Sequence, residues 1–237
     1  CEKRHVRAVR TASGERLAAG LFIAACHPKA ILRRIDDRDL PAMFKERVLA
    51  MRDSRGALQL FIRLRGPLRS IGHRCVAIRD EEEAAGSPPI PIIFVTHPTA
   101  AEPGSAGGPR LEALTFIDSA PFARWAGLPS GRRGAEYEAL KERLAGRMIG
   151  AIAKVAPELP GLIEEVYAGT PLTGEWYTRN EGGAVFGVSH DIGQQWDDRP
   201  QPRIHLKNLL FTGHSITMPG ICGVFINAFD TCAMIRG

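Results

Sequence analysis

Long apolar runs and closely paired cysteines are both absent from this sequence of 237 residues. The apolar runs, at residues 20–26 and 90–95, are far shorter than the roughly 18 residues expected of a membrane-spanning helix. The five cysteines include no Cys-x-x-Cys pair and are odd in number, which argues against a disulfide framework and a structural zinc site. We therefore expect no metal and a reducing, cytoplasmic location.

A strong excess of charge of one sign is also missing. Lysine and arginine number 31 against 26 aspartates and glutamates, for a net charge of +5. The basic residues are scattered, whereas a nucleic-acid-binding protein usually clusters them on one element with aromatic support. We expect no nucleic-acid partner, and the mild positive charge leaves open a peripheral contact with anionic lipid headgroups.

The sequence has neither an initiator methionine nor a signal peptide. Residue 1 is a cysteine, and a strand-like segment follows it at once. We therefore expect that the chain begins in the middle of a longer protein.

Apolar patterning predicts strands at both ends of the chain. Residues 5–10 and 15–19 form an expected hairpin, and residues 21–25 are a continuous apolar run typical of a strand buried on both faces. Residues 208–212 are a last apolar strand that leads into a helix ending near Ile235.

The middle of the chain mixes strands and helices. Apolar residues at three- and four-residue spacing predict a long helix over residues 137–155, and residues 80–83 are an expected acidic loop. The further strands expected are residues 57–63, 90–96, 111–117, 163–167 and 184–188. This mixture predicts an α/β fold.

The segment from Asn208 to Val224 contains the pattern most informative about chemistry. It has a strand, a glycine-containing turn, a second glycine-rich turn and an apolar helix. Glycine at a helix start lets backbone N–H groups approach an electron-rich group, and the helix dipole stabilises negative charge there. A reduced flavin carries such charge. The residues alone leave open the alternative that the glycines only permit tight packing.

This segment resembles the C-terminal flavin-binding motif of the phytoene desaturase, carotenoid isomerase and retinol saturase family, N-L-Y/F-x-T-G-x followed by P-G-x-x-G-V. The resemblance implies that His214 meets the ribityl–pyrophosphate region of FAD and that the helix start meets the isoalloxazine ring. Many relatives have Asp or Gln where His214 stands, although a neutral histidine can also donate a hydrogen bond. The implied cofactor-binding residues are Ala25, Thr212, Gly213, His214, Gly220, Ile221, Gly223 and Val224.

Two further segments are similar to the same family in the same order. Residues 6–34 resemble its hairpin and the strand whose end lies near the cofactor, and residues 167–177 resemble the T-P-L-T pattern of the retinol saturase branch. The implied substrate-binding residues are Thr170, Pro171, Thr173, Trp176 and Tyr177. The flat walls of Trp176 and Tyr177 suit a conjugated ligand, and plain core packing is an equal alternative. The match covers most of residues 6–64 and 134–237.

The family anchors FAD with a GxGxxG turn, and this sequence contains no glycines at that spacing. The resemblance thus implies the C-terminal half of a flavoprotein that binds FAD weakly or not at all by itself. Residues 1–35 are expected to be the returning hairpin and strand of a partial Rossmann-like FAD-binding domain. Residues 36–200 are the expected inserted mixed α+β substrate domain, and residues 201–237 are the last FAD-binding strand, turn and helix.

The resemblance implies a FAD-dependent oxidoreductase of carotenoid biosynthesis or retinoid metabolism. It would desaturate, saturate or isomerise a polyene by hydride or electron exchange with the flavin, and its partner would be the missing N-terminal half. No catalytic acid or base can be named, because His190 and Asp191 would point to opposite faces of a strand. The alternatives are a non-catalytic lipid-binding or partner subunit completed by a separate FAD-binding chain, and an amine oxidase-like flavoenzyme.

Overall fold

The computed structural model describes residues 1, 4–71, 75–79, 90, 92–96, 108–195 and 198–236. Runs of strands and helices are mixed along this part of the chain, which confirms the predicted α/β class. The acidic loop expected at residues 80–83 lies outside the described residues.

The chain divides into two compact units. The first combines Cys1–Ser54 with Phe186–Gly237, and the second is the continuous segment Arg55–Val185. The domain borders expected after residues 35 and 200 were set by proposed roles rather than by packing, and those roles remain predictions.

The first unit contains two small sheets. Strands β1 (Val9–Arg10) and β2 (Arg16–Leu17) pair antiparallel, which confirms the predicted hairpin. Strands β3 (Phe22–Ala24) and β9 (Leu209–Phe211) pair in parallel. The N- and C-terminal segments of the chain therefore share one sheet.

Three helices complete the first unit: α1 (Pro28–Leu32), α2 (Ala42–Ala50) and α6 (Gly220–Arg236). Pro28 occupies the first turn of α1, and Pro41 precedes the first residue of α2. Proline suits both places because the first turn of a helix has no partner for its N–H groups. Both prolines are therefore compatible with the helix starts of α1 and α2.

The expectation that residues 21–25 are buried on both faces is wrong. Ile23 is 52% exposed, and Leu21 is also exposed, whereas Ala24 is buried. In the described part of the chain β3 has β9 as its neighbour, and Ala24 and Leu209 pack into the core of this unit. The other face of the strand is left in solvent.

The second unit is built on one antiparallel sheet of five strands. Its strand order is β5-β6-β7-β4-β8, with every neighbouring pair antiparallel. The strands are β4 (Gly56–Leu64), β5 (Cys75–Arg79), β6 (Ile92–Thr96), β7 (Arg110–Ile117) and β8 (Ile163–Gly169). The remaining helices are α3 (Ala135–Ala153), α4 (Leu159–Leu162) and α5 (Pro171–Thr178).

One face of this sheet forms the core of the second unit. Side chains alternate along β4, so that Leu58, Leu60 and Ile62 are buried while Phe61 and Arg63 point to the other face. The predicted apolar stripe of α3 joins the same core, with these members buried: Tyr137, Leu140, Leu144, Met148 and Ile152. The face of the sheet that carries Phe61 remains open.

The strand predicted at residues 184–188 is wrong. A 3-10 helix occupies Glu181–Gly183, and only an isolated bridge joins Val188 to Asp53. Gly183 and Gly187 have φ values of +65° and +64°, which are incompatible with an extended strand.

Among the described residues, none of the helices has the combination of length and apolar character that crossing a membrane requires.

Candidate functional site

The parallel pair β3 and β9 brings three of the predicted cofactor residues to one edge. The backbone N–H of Thr212 donates to the carbonyl oxygen of Ala24 at 3.0 Å. A Cβ on Gly213 would lie 3.5 Å from the carbonyl oxygen of Ala25. Ligands of α/β sheets commonly bind outside the carboxyl ends of parallel strands. Ala25, Thr212 and Gly213 therefore lie together where such a site is expected.

The segment of residues 212–219, which we call the glycine turn, is held by one side chain of α6. Asn227 is fully buried, and its Oδ1 accepts hydrogen bonds from the Gly213 N–H at 2.7 Å and the Thr212 hydroxyl at 2.8 Å. Its Nδ2 donates to the hydroxyl of Thr217 at 3.1 Å. Gly213 has a φ of +101°, a backbone conformation that favours glycine. The turn thus has a single defined shape.

The start of α6 is open at Gly220. Gly220 has a φ of +79°, and no heavy atom lies within 4 Å of the position that a Cβ would occupy. Ile221 is 78% exposed, and Val224 is also exposed. A flat apolar ring fits beside such a helix start, where N–H groups without intrahelical partners meet exposed aliphatic side chains. Gly220, Ile221 and Val224 are thus accessible at the helix start, and their flavin contact stays a prediction.

Gly223 has a different use. A Cβ at this position would lie 2.4 Å from the carbonyl oxygen of Met218, and the residue is buried. The absence of a side chain therefore lets the first turn of α6 pack on the backbone of the glycine turn. For Gly223, the alternative that the glycine permits tight packing agrees with the structure. Its contact with the cofactor stays a prediction.

Helix α6 turns small and polar residues inward and apolar residues outward. Its buried stripe is Gly223, Asn227 and Thr231, at four-residue spacing. The exposed apolar residues of α6 are Ile221, Val224, Phe225, Ile226, Phe229 and Ile235. Six exposed apolar side chains on one helix are typical of a site for an apolar ligand or a partner.

His214, the predicted contact of the ribityl–pyrophosphate region, is half-buried in the glycine turn. Burial lowers the pKa of His214, and repulsion from His27 and Arg199 lowers it further. The imidazole is therefore neutral at pH 7 and is able to donate one hydrogen bond. Gly187 makes room for it, because a Cβ there would lie 2.8 Å from the ring of His214 and 1.9 Å from the Ser215 hydroxyl.

A buried ion network lies where β3 ends. The Nζ atom of Lys29 donates to Asp53 Oδ2 at 2.9 Å, and His27 Nε2 lies 3.2 Å from Asp53 Oδ1. The histidine contact is close but lacks hydrogen-bond alignment. Burial by itself raises the pKa of Asp53, and the contacts with His27 and Lys29 outweigh it and hold this pKa below its usual value. Within the described residues no cluster of three or more potential ligands forms a metal site.

Arg199 is a charged residue that is nevertheless only 2% exposed. Its guanidinium donates to carbonyl oxygens of the glycine turn at Ser215 (2.9 Å) and Ile216 (3.1 Å). Its other bonds go to the carbonyl oxygens of Val188 and Ser189, at 3.1 Å and 2.8 Å, and of Gln194. No sequence signal identifies such a residue, because its partners are backbone atoms from distant segments.

The predicted substrate residues Thr170 and Thr173 form the capping box of α5. The N–H of Thr170 donates to the hydroxyl of Thr173 at 3.1 Å, and the Thr170 hydroxyl bonds that of Tyr137 at 2.7 Å. Pro171 is buried at the first position of the same helix. These residues have a clear structural use, and their contact with substrate stays a prediction.

Trp176 and Tyr177 differ in exposure. Trp176 is half-buried, with the guanidinium of Arg179 5.1 Å from its ring centroid, whereas Tyr177 is 76% exposed. Tyr177 therefore contributes little to the core, and its accessible ring remains a predicted substrate contact.

Two cavities lie on the open face of the five-stranded sheet, and sequence reasoning missed both. The larger, of about 280 Å³, is lined by Phe61, Ile62, Arg63, Arg110, Leu111, Glu112, Glu165 and Tyr167. The smaller, of about 150 Å³, is lined by Gln59, Leu60, Phe61, Phe94, Thr96, Glu112, Ala113 and Leu114. Phe61 lines both cavities. An aromatic residue at a position of β4 that faces solvent was the sequence feature that could have indicated them.

No protein-family model matches the chain. The chain is 32% identical to the all-trans-retinol 13,14-reductase of Homo sapiens over 156 residues, which covers 62% of this chain and 25% of that protein. The enzyme of the same name from Macaca fascicularis is 31% identical over 151 residues, and that from Danio rerio is 27% identical over 152 residues. They cover 59% and 61% of this chain, and 24% and 25% of those proteins.

The chain is a homologue of the all-trans-retinol 13,14-reductases. The resemblance to the retinol saturase branch, predicted from three segments in order, is confirmed. The chain spans about a quarter of the length of the retinol reductases it matches.

The fold is shared with solved oxidoreductase structures. An oxidoreductase from Methanosarcina mazei superposes with a TM-score of 0.58 at 11% identity and covers 100% of this chain and 47% of that one. A putrescine oxidase variant superposes with a TM-score of 0.52 at 13% identity, covering 97% of this chain and 46% of that one. At these identities the likeness shows the fold alone. It agrees with the expected partial Rossmann-like architecture of this retinol reductase homologue.

Proposed function

We propose that this chain supplies the flavin-contacting turn and the substrate surface of a FAD-dependent oxidoreductase acting on a retinoid- or carotenoid-type polyene. The observation that carries the proposal is the open helix start at Gly220, beside a glycine turn fixed by Asn227. The kinship with retinol reductases supports a retinoid over other apolar substrates.

The residues of this chain would orient the cofactor and exclude water from it. The N–H groups at the start of α6 would stabilise negative charge, and neutral His214 would donate a hydrogen bond to the diphosphate region. When bound, FAD supplies hydride or electron exchange with the substrate. A firmly held turn matters here because electrostatic stabilisation depends on donors that are already in position.

The open face of the sheet in the second unit is the proposed substrate surface. Phe61 and Tyr167 are paired across β4 and β8, and both side chains are exposed. Phe94 adds a third ring on β6, lining the smaller cavity. Flat aromatic walls suit a flat conjugated chain.

A phosphate-binding turn has to come from other polypeptide in this proposal. The chain contains no GxGxxG motif and corresponds to a quarter of the length of its relatives. We propose that the preceding part of the same protein supplies the turn. A separate FAD-binding chain is the alternative.

The test uses the complete reading frame that contains this chain, purified with and without the substitution Gly220→Val. We expect the unsubstituted protein to retain flavin absorbance after gel filtration. Valine at φ +79° both strains the backbone and fills the open space at the helix start, so Gly220→Val should lose the flavin. The matched control is Gly127→Val, because Gly127 has a φ of +80° and equally empty surroundings but lies in the second unit.

Flavin retained in both variants, or lost in both, would contradict the proposed role of Gly220. A complete reading frame that binds no flavin, yet binds polyene, would instead favour the partner-subunit alternative.

The substrate class is tested by anaerobic mixing. Reduced flavin in the complete protein should be reoxidised by all-trans-retinol or a carotenoid, as two electrons pass to the polyene. Reduction of oxidised flavin by putrescine, with no response to polyenes, would favour the amine oxidase-like alternative and overturn the proposal.

A further inference from the structure

Every N–H of the Arg199 side chain is directed at a backbone carbonyl oxygen. Nε bonds Ile216, one terminal nitrogen bonds Ser189 and Gln194, and the other bonds Val188 and Ser215. A guanidinium has five N–H donors in a planar, rigid arrangement. All five are used, so the orientation of the group is fixed.

These bonds join two segments that are separate in sequence. Ser215 and Ile216 belong to the glycine turn, whereas Val188 and Ser189 follow Gly187, whose missing side chain lets it approach Ser215 closely. The carbonyl of Gly213 accepts the Ile216 N–H at 3.1 Å within the same turn. Arg199 thus fixes the side of the turn that Asn227 does not contact.

The charge of Arg199 has no carboxylate partner among the described residues. Asp191 pairs with Arg52 at 3.0 Å, and Asp53 pairs with Lys29. Burial lowers the pKa of Arg199, but arginine in proteins stays protonated. A buried charge is costly unless it is fully hydrogen-bonded, and five carbonyl oxygens meet that requirement.

The effect of this charge extends to two histidines. Burial lowers the pKa of His190, and repulsion from Arg199 lowers it further. Burial also lowers the pKa of His214, followed by repulsion from His27 and then from Arg199. His214 is the turn residue that the proposed function assigns to the cofactor. A neutral imidazole at His214 remains available as a hydrogen-bond donor and adds no further positive charge next to Arg199.

We propose that Arg199 is a positioning residue for the glycine turn: it ties Ser215 and Ile216 to the backbone of residues 188–194 and places an unneutralised positive charge against the carbonyl oxygen of Ser215, the residue that directly follows His214. This inference rests on the proposed function for its meaning, since the turn is the one assigned to the flavin. The hydrogen bonds and the charge on which the inference depends involve only residues of this chain, so it can be tested without the cofactor.

Two substitutions separate the charge from the hydrogen bonds. Arg199→Lys keeps the positive charge but cannot donate to five carbonyl oxygens, and Arg199→Met removes both properties. The matched controls are Arg203→Lys and Arg203→Met, because Arg203 is exposed and donates to a backbone carbonyl oxygen, that of Met234.

The experiment is NMR on the full chain without cofactor, with labelled histidine and backbone amides. In the unsubstituted chain, His214 should titrate below the ordinary value of about 6.5. In Arg199→Met this titration should move toward the ordinary value. In Arg199→Lys it should stay low, while amide exchange of Ile216 accelerates by about tenfold or more as the turn opens locally. Both Arg203 variants should leave the two measurements unchanged.

A His214 titration at the ordinary value in the unsubstituted chain, or one unmoved in folded Arg199→Met, would overturn the electrostatic part. Unchanged Ile216 exchange in Arg199→Lys would overturn the positioning part, and this variant also decides the matter if Arg199→Met does not fold. Because no flavin is used, a failure here is distinct from a failure of the Gly220 experiment.

Discussion

The backbone N–H of Gly213 lies 2.7 Å from Oδ1 of Asn227, a side chain that is fully buried. This bond joins the end of β9 to a helix that starts seven residues later in the chain at Gly220. The same oxygen also accepts a hydrogen bond from the Thr212 hydroxyl, so one amide fixes the start of the turn. Asn227 therefore shapes the proposed cofactor site although its own side chain is buried and not exposed at that site.

Replacing Asn227 by alanine should destabilise the protein by about 1–3 kcal/mol, because it leaves the part-buried Gly213 N–H and the Thr217 hydroxyl without their partner. Urea unfolding followed by circular dichroism measures the effect. Asp230→Ala, on the exposed side of the same helix, should change the free energy of unfolding by less than about 0.5 kcal/mol. Equal effects of the two substitutions would show that the amide does not hold the turn.

Gly223→Ala should destabilise by about 1–3 kcal/mol, since the new methyl group would meet the Met218 carbonyl oxygen at 2.4 Å and the backbone would have to shift. The control is Gly150→Ala in α3, where no atom lies within 4 Å of the new Cβ. There the same change should stabilise by about 0.5–1 kcal/mol, because alanine is the better helix former. Thermal unfolding of both variants tests the opposite signs, and a stabilising Gly223→Ala would disprove the tight packing of α6.

Asp53→Asn should lower the stability at pH 7 by about 2 kcal/mol, because Lys29 and His27 lose a carboxylate partner. The pKa of Asp53 is lower in the folded chain than in the unfolded one, so its contribution is complete above the unfolded value of about 3.9. It is lost as the pH falls through the folded value. The difference between the variant and the unsubstituted chain should therefore shrink below about pH 4.

Denaturant titrations at several pH values measure this difference. Asp37→Asn is the control, because Asp37 pairs with Lys45 while its carboxylate is largely in solvent. A pH-independent difference for Asp53→Asn would rule out the ionised carboxylate as the cause.

The isolated chain should bind FAD weakly or not at all, because it has no GxGxxG turn to hold the diphosphate. Isothermal titration calorimetry checks this directly. Micromolar or tighter affinity would mean that the glycine turn and α6 are enough to hold the cofactor, and that no second stretch of polypeptide is needed.

Local patterning predicted the elements that position the site. Apolar runs located β3 and β9, and the apolar segment after the glycine turn located α6. These features depend on residues close together in sequence, which is why they could be predicted.

Features that depend on distant partners could not be predicted. The exposure of Ile23 depends on how many strands flank β3, and the burial of Arg199 depends on carbonyl oxygens from two other segments. The strand at residues 184–188 was predicted wrongly because the pattern of apolar residues was given more weight than Gly187. In the structure Gly187 has a φ of +64° and approaches Ser215 closely. Exposed Phe61 was visible in the sequence, but only the register of the sheet shows which residues accompany it.

The first unit is discontinuous in sequence, since β3 precedes and its partner β9 follows all residues of the second unit along the chain. During synthesis, residues 55–185 are continuous and able to fold as soon as they leave the ribosome, whereas β3 emerges long before β9 is made. The apolar residues of the first 54 positions therefore spend the longest time without their native partners. This part of the nascent chain should depend most on chaperones.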